Sequence, residues 1–557
     1  MKIQKSDILL CFILMIMIVS MTSCQTAEVI EPARLPTTEE TLQQNTKYPV
    51  AERTLTPTKP ITATVTSGLL FDNDVPEWVQ ELLSQHIEIQ QRISDFPNGV
   101  EVGFTETAFQ IGNIQYFLVA PFDLPLTSIS LNEFNYIWSV SSVDDNAWKG
   151  SFLLSEESER ILRYRWGEHG SGVNVVQFSE EELIASLFNG NHDKIAIIPA
   201  QHLSSELRTI RIDNKSFFQT GDNLVRSVFN VPLYSTEKII EEPISINFST
   251  DRLTTVNITG VTALVRATAV LMRINGNAYP AEQIIDILTL ADYTHISNEV
   301  SFSPFCPVQQ YTSENLLFCS PDKNFELLTF IDADIIELSG DHLADYGADA
   351  FLYTLELYES AGIQYYGGGR NLSAAQKPLK IDHNGNKFAF LGCNAKNQSY
   401  ARAAENYPGT WLCDLDFLKE SIMELQAEGY TPIVTIQHVE NELNTPPQVL
   451  VDDFSNLSTQ TPIILIGSQA HITKPIILDE NSFIHFGLGN LFFDQINESE
   501  AHAEALIDRL IFYNNQLINI ELFPIRFIDY AQSRPMTSEE EFLFLSKLFA
   551  SSTFPLP

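Results

Sequence analysis

From about Leu253 onward the chain repeats one pattern: a short apolar run that ends in a polar loop carrying His, Asp, Gln or Asn. Val256 to Ile258 leads to Gly260, and Ile335-Ile336-Glu337-Leu338 leads to Gly340-Asp341-His342. Ile433-Val434-Thr435-Ile436 leads to Gln437-His438, and Ile463-Ile464-Leu465-Ile466 to Gly467-Ser468-Gln469-Ala470-His471. Phe483-Ile484-His485-Phe486 leads to Gly487-Leu488-Gly489-Asn490. Such runs read as buried strands, with helices between them at Ala348 to Ala361 and Leu415 to Ala427. Open α/β sheets build their sites where strands end at the carboxyl side. The pattern therefore predicts an α/β domain with a site on these loops. No internal repeat interrupts it.

The N-terminus reads as an export signal. Lys2 and Lys5 make a positive start, diluted by Asp7, and Ile8 to Met21 is an uncharged apolar run of 14 residues. That run is short of the ~20 residues a membrane span needs. Met21-Thr22-Ser23-Cys24 resembles a bacterial lipobox, which implies cleavage before Cys24 and lipidation of its thiol. A plain signal peptide or an uncleaved anchor is the other reading. On the first, residues 1–23 are a lipoprotein signal peptide. The mature chain is then exported and lipid-anchored to a bacterial membrane, facing the periplasm or the cell exterior. Residues 24–66, rich in Thr, Pro, Glu and Gln, read as a disordered tether.

Charge narrows the partners. Lys+Arg is 33 against 71 Asp+Glu, a formal charge of −38. Such a surface repels phosphate backbones and anionic headgroups, so no nucleic-acid partner is expected and no electrostatic adhesion to lipid.

Residues 67–248 read as a smaller α/β domain. Pro76 opens a helix, Ser179 to Glu182 opens another with a capping-box pattern, and Gln115–Ala120, Tyr136–Val140 and Lys194–Pro199 read as strands. It loosely resembles a periplasmic solute-binding lobe, without a motif behind the likeness. Apart from Cys11 and Cys24, the cysteines are Cys306, Cys319, Cys393 and Cys413. In an exported chain they form two disulfides with three possible connectivities, Cys306–Cys319 being the nearest pair, or they remain buried thiols. They are too widely spaced for a CxxC zinc site.

Six segments, in order, resemble the CapA family of capsule or poly-γ-glutamate synthesis proteins, themselves similar to calcineurin-like metallophosphatases. They are Ala291-Asp292 to Asn298-Glu299, Gly340-Asp341-His342 with Asp345-Tyr346-Gly347, and Gly362 to Gly369. They continue with Gln437-His438-Val439-Glu440-Asn441-Glu442, Gly467 to His471, and Leu488-Gly489-Asn490 to Asp494-Gln495. The resemblance implies a β-sandwich flanked by helices over 249–498. Residues 499–557 read as finishing the sheet or packing onto the N-terminal domain, with Leu510-Ile511-Phe512 and Leu517 to Phe523 as paired strands. It implies a divalent metal (Mn, Zn or Fe), as one or two ions, with Glu299, Asp341, His342, His438 and His471 as ligands. Asp341, His342 and His438 are then the catalytic candidates, Asp341 orienting or deprotonating a water. Arg266, Gln469 and Asn490 are the substrate-binding candidates.

Departures from the family pattern leave the chemistry open. Val261 stands where the family carries a metal-binding Asp, Gln469 stands where it carries a histidine, and Glu440 replaces a glycine. The set suffices for one ion and is thin for two, which normally share a bridging carboxylate. One reading is a metal-dependent hydrolase of a phosphoester or related bond in cell-surface polymer synthesis. The other is a non-catalytic lipoprotein that binds or assembles that polymer or its precursor, its metal site degenerate or empty. His295 and His485 read as core residues, and Gly367-Gly368-Gly369 as a turn where backbones meet.

Overall fold

The computed structural model describes residues 68–139, 151–189, 193–219, 223–312, 316–396, 399–458 and 461–554. The signal segment, Cys24 and the tether lie outside the described residues. Thr66–Pro557 forms one compact unit. Among the described residues, no helix is long and apolar enough to cross a membrane.

Two sheets build the C-terminal half. The main path of the first runs Gln364–Tyr366, Ile335–Glu337, Tyr293–Asn298, Leu253–Ile258, Glu504–Tyr513, Gln516–Phe527 and Ser533–Pro535. The first four strands are parallel, and the rest join antiparallel. The second sheet runs Leu379–His383, Asn386–Asn394, Thr431–Gln437, Ile463–Ser468, Ser482–His485 and Ile476–Leu478. Its four central strands are parallel.

Alternation along each strand explains the layering, since successive side chains point to opposite faces. Ile335, Val256 and Leu510 of the first sheet share a core with Phe390, Ile433 and Ile464 of the second. The opposite face of the first sheet, Ile296 and Ile336, packs Phe351 and Leu355 of the helix Gly347–Ala361. That of the second, Val434 and Ile436, packs Leu418 and Ile422 of the helix Leu415–Ala427. The result is helix, sheet, sheet, helix: the helix-flanked β-sandwich that the motifs imply.

The C-terminal residues contribute a hairpin to the first sheet, Leu510 pairing with Ile520. They also meet the N-terminal half: Arg211 Nη1 donates to Leu522 O at 2.9 Å and pairs with Glu541 at 3.1 Å, while Asn519 Nδ2 donates to Leu207 O at 2.8 Å. The N-terminal half is built on a nine-stranded mixed sheet that includes Phe109–Pro121 and Lys194–Pro199. Ser179 and Glu182 form the capping box. Tyr136 to Ser139, read above as strand, is the end of a helix, Leu131–Ser139. Phe134, Ile137 and Trp138 are its buried residues. Their i, i+3, i+4 spacing outweighs the β-propensity of the aromatic residues. The disulfides are Cys306–Cys319 and Cys393–Cys413.

One carboxylate in the sandwich carries a pH-dependent cost. Asp334 Oδ2 accepts from Thr294 N at 2.8 Å, but burial outweighs that bond, and with Asp332 and Asp292 nearby the carboxyl is pushed up to about 6. A raised acid is penalised only where it must ionise. The cost is absent below the ordinary value, accrues as pH rises toward 6, and is constant above. Asp334→Asn keeps an acceptor for Thr294. In urea melts it should gain nothing near pH 4 and about 1 kcal/mol at pH 7–8, after discounting for partial exposure.

Candidate metal centre

The parallel strands of both sheets end on one side, and their loops carry the site. Glu299 follows Tyr293–Asn298, Asp341 and His342 follow Ile335–Glu337, and Gln469 to His471 follow Ile463–Ser468. One ligand atom from each of Glu299, Asp341 and His342 lies within 4.8 Å of the others. Gly340 makes this approach possible, because a Cβ there would sit 2.8 Å from Glu299 Cα.

Both imidazoles are oriented from behind. His342 Nδ1 lies 2.7 Å from Asp345 Oδ2, and Phe318 N donates to the same oxygen at 2.8 Å. The Phe318 ring covers His342 with centroids 4.7 Å apart, and the next residue, Cys319, is anchored by its disulfide to Cys306. His471 Nδ1 lies 2.9 Å from Asn490 Oδ1, and its ring faces Phe493. Each Nε2 is the nitrogen left for the site, the arrangement by which outer partners fix a metal-binding histidine. His471 falls outside the 4.8 Å group, but its charge acts on Glu299.

The electrostatics follow from burial and crowding. Burial pushes the Glu299 carboxyl up, against the charges of His471 and His342. Burial lowers His342, but the Asp345 hydrogen bond and the charges of Glu299 and Asp341 outweigh it and raise the imidazole to about 9. Burial would also raise Asp341, yet His342, Lys396 and Gln437 hold it below its ordinary value. Its Oδ2 lies 2.7 Å from Lys396 Nζ, and its Oδ1 accepts from Gln437 Nε2 at 2.8 Å. With both oxygens engaged, Asp341 is an anchor and a weak base.

His438 stands apart from the group. Along Thr431–Gln437, Ile433 faces the inter-sheet core while Val434 and Ile436 face the helices. Gln437 continues the inward series and reaches Asp341; His438 turns away, its Nε2 3.5 Å from Asp453 Oδ2 on the helix Gln448–Leu457. The geometry keeps His438 out of the Glu299, Asp341 and His342 group, and Gln437 is the residue at this strand end that contacts Asp341. Arg266 is committed as well: its Nε donates to Asp494 Oδ1 and Oδ2 at 3.1 and 3.2 Å, and its guanidinium lies over Phe318 and Phe493. Gln469 is fully buried at φ +60°, and its Nε2 donates to Ser297 Oγ at 2.7 Å. Asn490 orients His471.

Three groups here were not singled out from sequence. Lys396 lies on the loop after Asn386–Asn394, between Asp341 and Glu440. Tyr400, 48% exposed, stands near Asp345, Asp341, Lys396 and Glu299. Glu337 lies beneath the site at 0% exposure, raised by burial although the hydroxyls of Ser297, Ser468, Thr435 and Ser339 surround it.

The donor set fits one divalent ion: two carboxylates, an imidazole, and His471 beside them. It does not fit two. Val261 offers hydrocarbon, Gln437 Oε1 already accepts from Asn394 Nδ2, the buried Gln469 Oε1 is an amide oxygen and a poor ligand, and the Lys396 ammonium already neutralises Asp341.

Comparison with known proteins places this site in context. Residues 248–495 match the model of the family described as "Bacterial capsule synthesis protein PGA_cap". "Capsule biosynthesis protein CapA" of Bacillus anthracis is 22% identical over 233 residues, 41% of this chain and 56% of that protein. "PGA biosynthesis protein CapA" of Bacillus subtilis (strain 168) is 25% identical over 179 residues, 31% of this chain and 46% of that protein. The chain thus spans about half the length of the curated relatives it matches. Among solved structures, a 5'-nucleotidase precursor from Thermus thermophilus aligns with a TM-score of 0.32 and 11% identity, covering 54% of this chain and 58% of that one. A likeness that weak carries no statement about activity.

Proposed function

We propose, from the membership of residues 248–495 in the CapA family of bacterial capsule synthesis proteins, that this chain is a single-metal hydrolase of cell-surface polymer synthesis. Its substrate is a phosphoester or related bond in the polymer or its precursor. The observation that carries this reading is the convergence of Glu299, Asp341 and His342 ligand atoms within 4.8 Å. Glu299, Asp341, His342 and His471 hold the ion. When bound, it supplies Lewis acidity and lowers the pKa of water.

The protein's own groups do the rest. Asp345 and Asn490 keep the two imidazoles aimed, and Phe318 and Phe493 shield them from water on one side. Lys396 keeps Asp341 ionised. Tyr400, half-exposed and within electrostatic reach of these charged groups, is a candidate for substrate contact. The lipobox-like Met21 to Cys24 supports a lipid anchor at a bacterial membrane, with the site facing the periplasm or the cell exterior. Val261 and Gln469, standing where the family carries ligands, favour the second reading, a polymer-binding or assembly lipoprotein without turnover.

A manganese- or zinc-supplemented assay on a generic phosphodiester and phosphomonoester separates the two. The hydrolase reading expects turnover that falls at least ~100-fold in His342→Ala and persists in His438→Ala. Polymer retention that survives chelator and His342→Ala, without turnover, would support the binding reading instead.

A further inference from the structure

Glu440, Asp341 and Glu299 crowd three carboxylates into one site, and like charges this close repel unless a cation intervenes. The cation is already part of the chain. Lys396 Nζ lies 2.7 Å from Asp341 Oδ2, and 3.0 and 2.9 Å from Glu440 Oε1 and Oε2. Its side chain is 15% exposed. Its backbone N donates to Asn394 Oδ1 at 2.9 Å, and Asn394 Nδ2 donates to Gln437 Oε1 at 2.6 Å. Gln437 Nε2 returns to Asp341 Oδ1 at 2.8 Å and Glu440 Oε1 at 3.2 Å. Asp341 and Glu440 therefore receive the same ammonium and the same amide.

Two carboxylates converging on one positive centre is how a bridging ion is held; here an ammonium holds that position. We propose that Lys396 is the second cation of this site, standing where a second metal ion would bind and making the centre one ion plus one fixed ammonium. This rests on the reading of Glu299, Asp341 and His342 as the site of the first ion. A lysine is a compact point charge with three donors and no open coordination position. It neutralises Asp341 and Glu440 permanently, whatever the metal supply, but cannot activate a water. The departures at Val261, Gln469 and Glu440 then belong together: Glu440 helps hold the fixed ammonium, and a site that carries its own second charge needs no further ligands for it.

The test counts manganese in the full-length protein in detergent, by equilibrium dialysis with elemental analysis and electron paramagnetic resonance. Wild type and Lys396→Arg are expected to bind one equivalent with an isolated-ion spectrum. Lys396→Met and Lys396→Gln are expected to bind a second equivalent, with the spectrum of two coupled ions. Two equivalents in wild type, or an unchanged single equivalent in both uncharged variants while their circular dichroism matches wild type, would overturn the proposal. Failure of the one-ion reading looks different. Manganese absent from wild type but gained by Lys396→Met would remove that reading and uphold the role of Lys396; manganese absent from every variant would remove both.

Discussion

Arg266→Ala should destabilise the protein by about 3–5 kcal/mol, the cost of leaving one member of a buried ion pair unpaired. Asp494 is 3% exposed at its side chain and accepts from the Arg266 guanidinium and from Ala267 N at 2.8 Å. Burial raises Asp494, and Arg266 is the largest influence opposing the rise, helped by backbone N–H groups. Without the guanidinium the carboxylate must be buried charged or take up a proton, and Phe318 and Phe493 lose the cation packed on their rings. Because Phe318 also covers His342, the loss should loosen the site from behind. Replacing both partners with apolar residues of similar size, Arg266→Met with Asp494→Leu, should recover most of the loss, since the desolvation cost disappears with both charges. Urea unfolding of the three proteins measures this. A loss under about 1 kcal/mol in Arg266→Ala, the range of an exposed pair, would mean that Arg266 is free to serve a substrate.

The second large effect concerns the ion. Glu299→Gln and His342→Ala should each weaken manganese binding by more than the ~10–100-fold that loss of an outer-shell partner costs. Asp345→Asn, which disturbs only the orientation of His342, should fall inside that range. The ordering follows from contact: Glu299 and His342 belong to the 4.8 Å group, while Asp345 touches His342 Nδ1 from behind. Calorimetric titration of the full-length protein reads all three. Equal losses at the three positions would point to collapse of the loop rather than loss of ligands.

Much of this site is legible in the chain because its strands announce their ends. Apolar runs stopping at Asp341-His342 and at Gln469 to His471 place those residues on neighbouring loops, and the structure keeps them there. The helix Leu415–Ala427 and the hairpin around Leu510 and Ile520 follow from period and pairing alone. His438 differs from the expectation by one position. At a strand end the side-chain period of two makes a one-residue difference a change of face, and motif matching does not weigh faces. Lys396 escapes for another reason. Phe388 to Cys393 is an apolar run ending in a polar loop like the others, but a search for ligand types passes over a lysine. Only its distances to Asp341 and Glu440 reveal that it does a cation's work. Arg266 and Asp494 are 228 residues apart, and no local pattern links them.

The central claim is that Glu299, Asp341 and His342 hold one divalent ion and that His438 takes no part. Its most direct test is the zinc, manganese and iron content of the purified full-length protein beside His342→Ala and His438→Ala. The expected result is about one equivalent in wild type, the same in His438→Ala, and loss in His342→Ala. Metal-free wild type after reconstitution, or loss of the ion in His438→Ala as well, would contradict it.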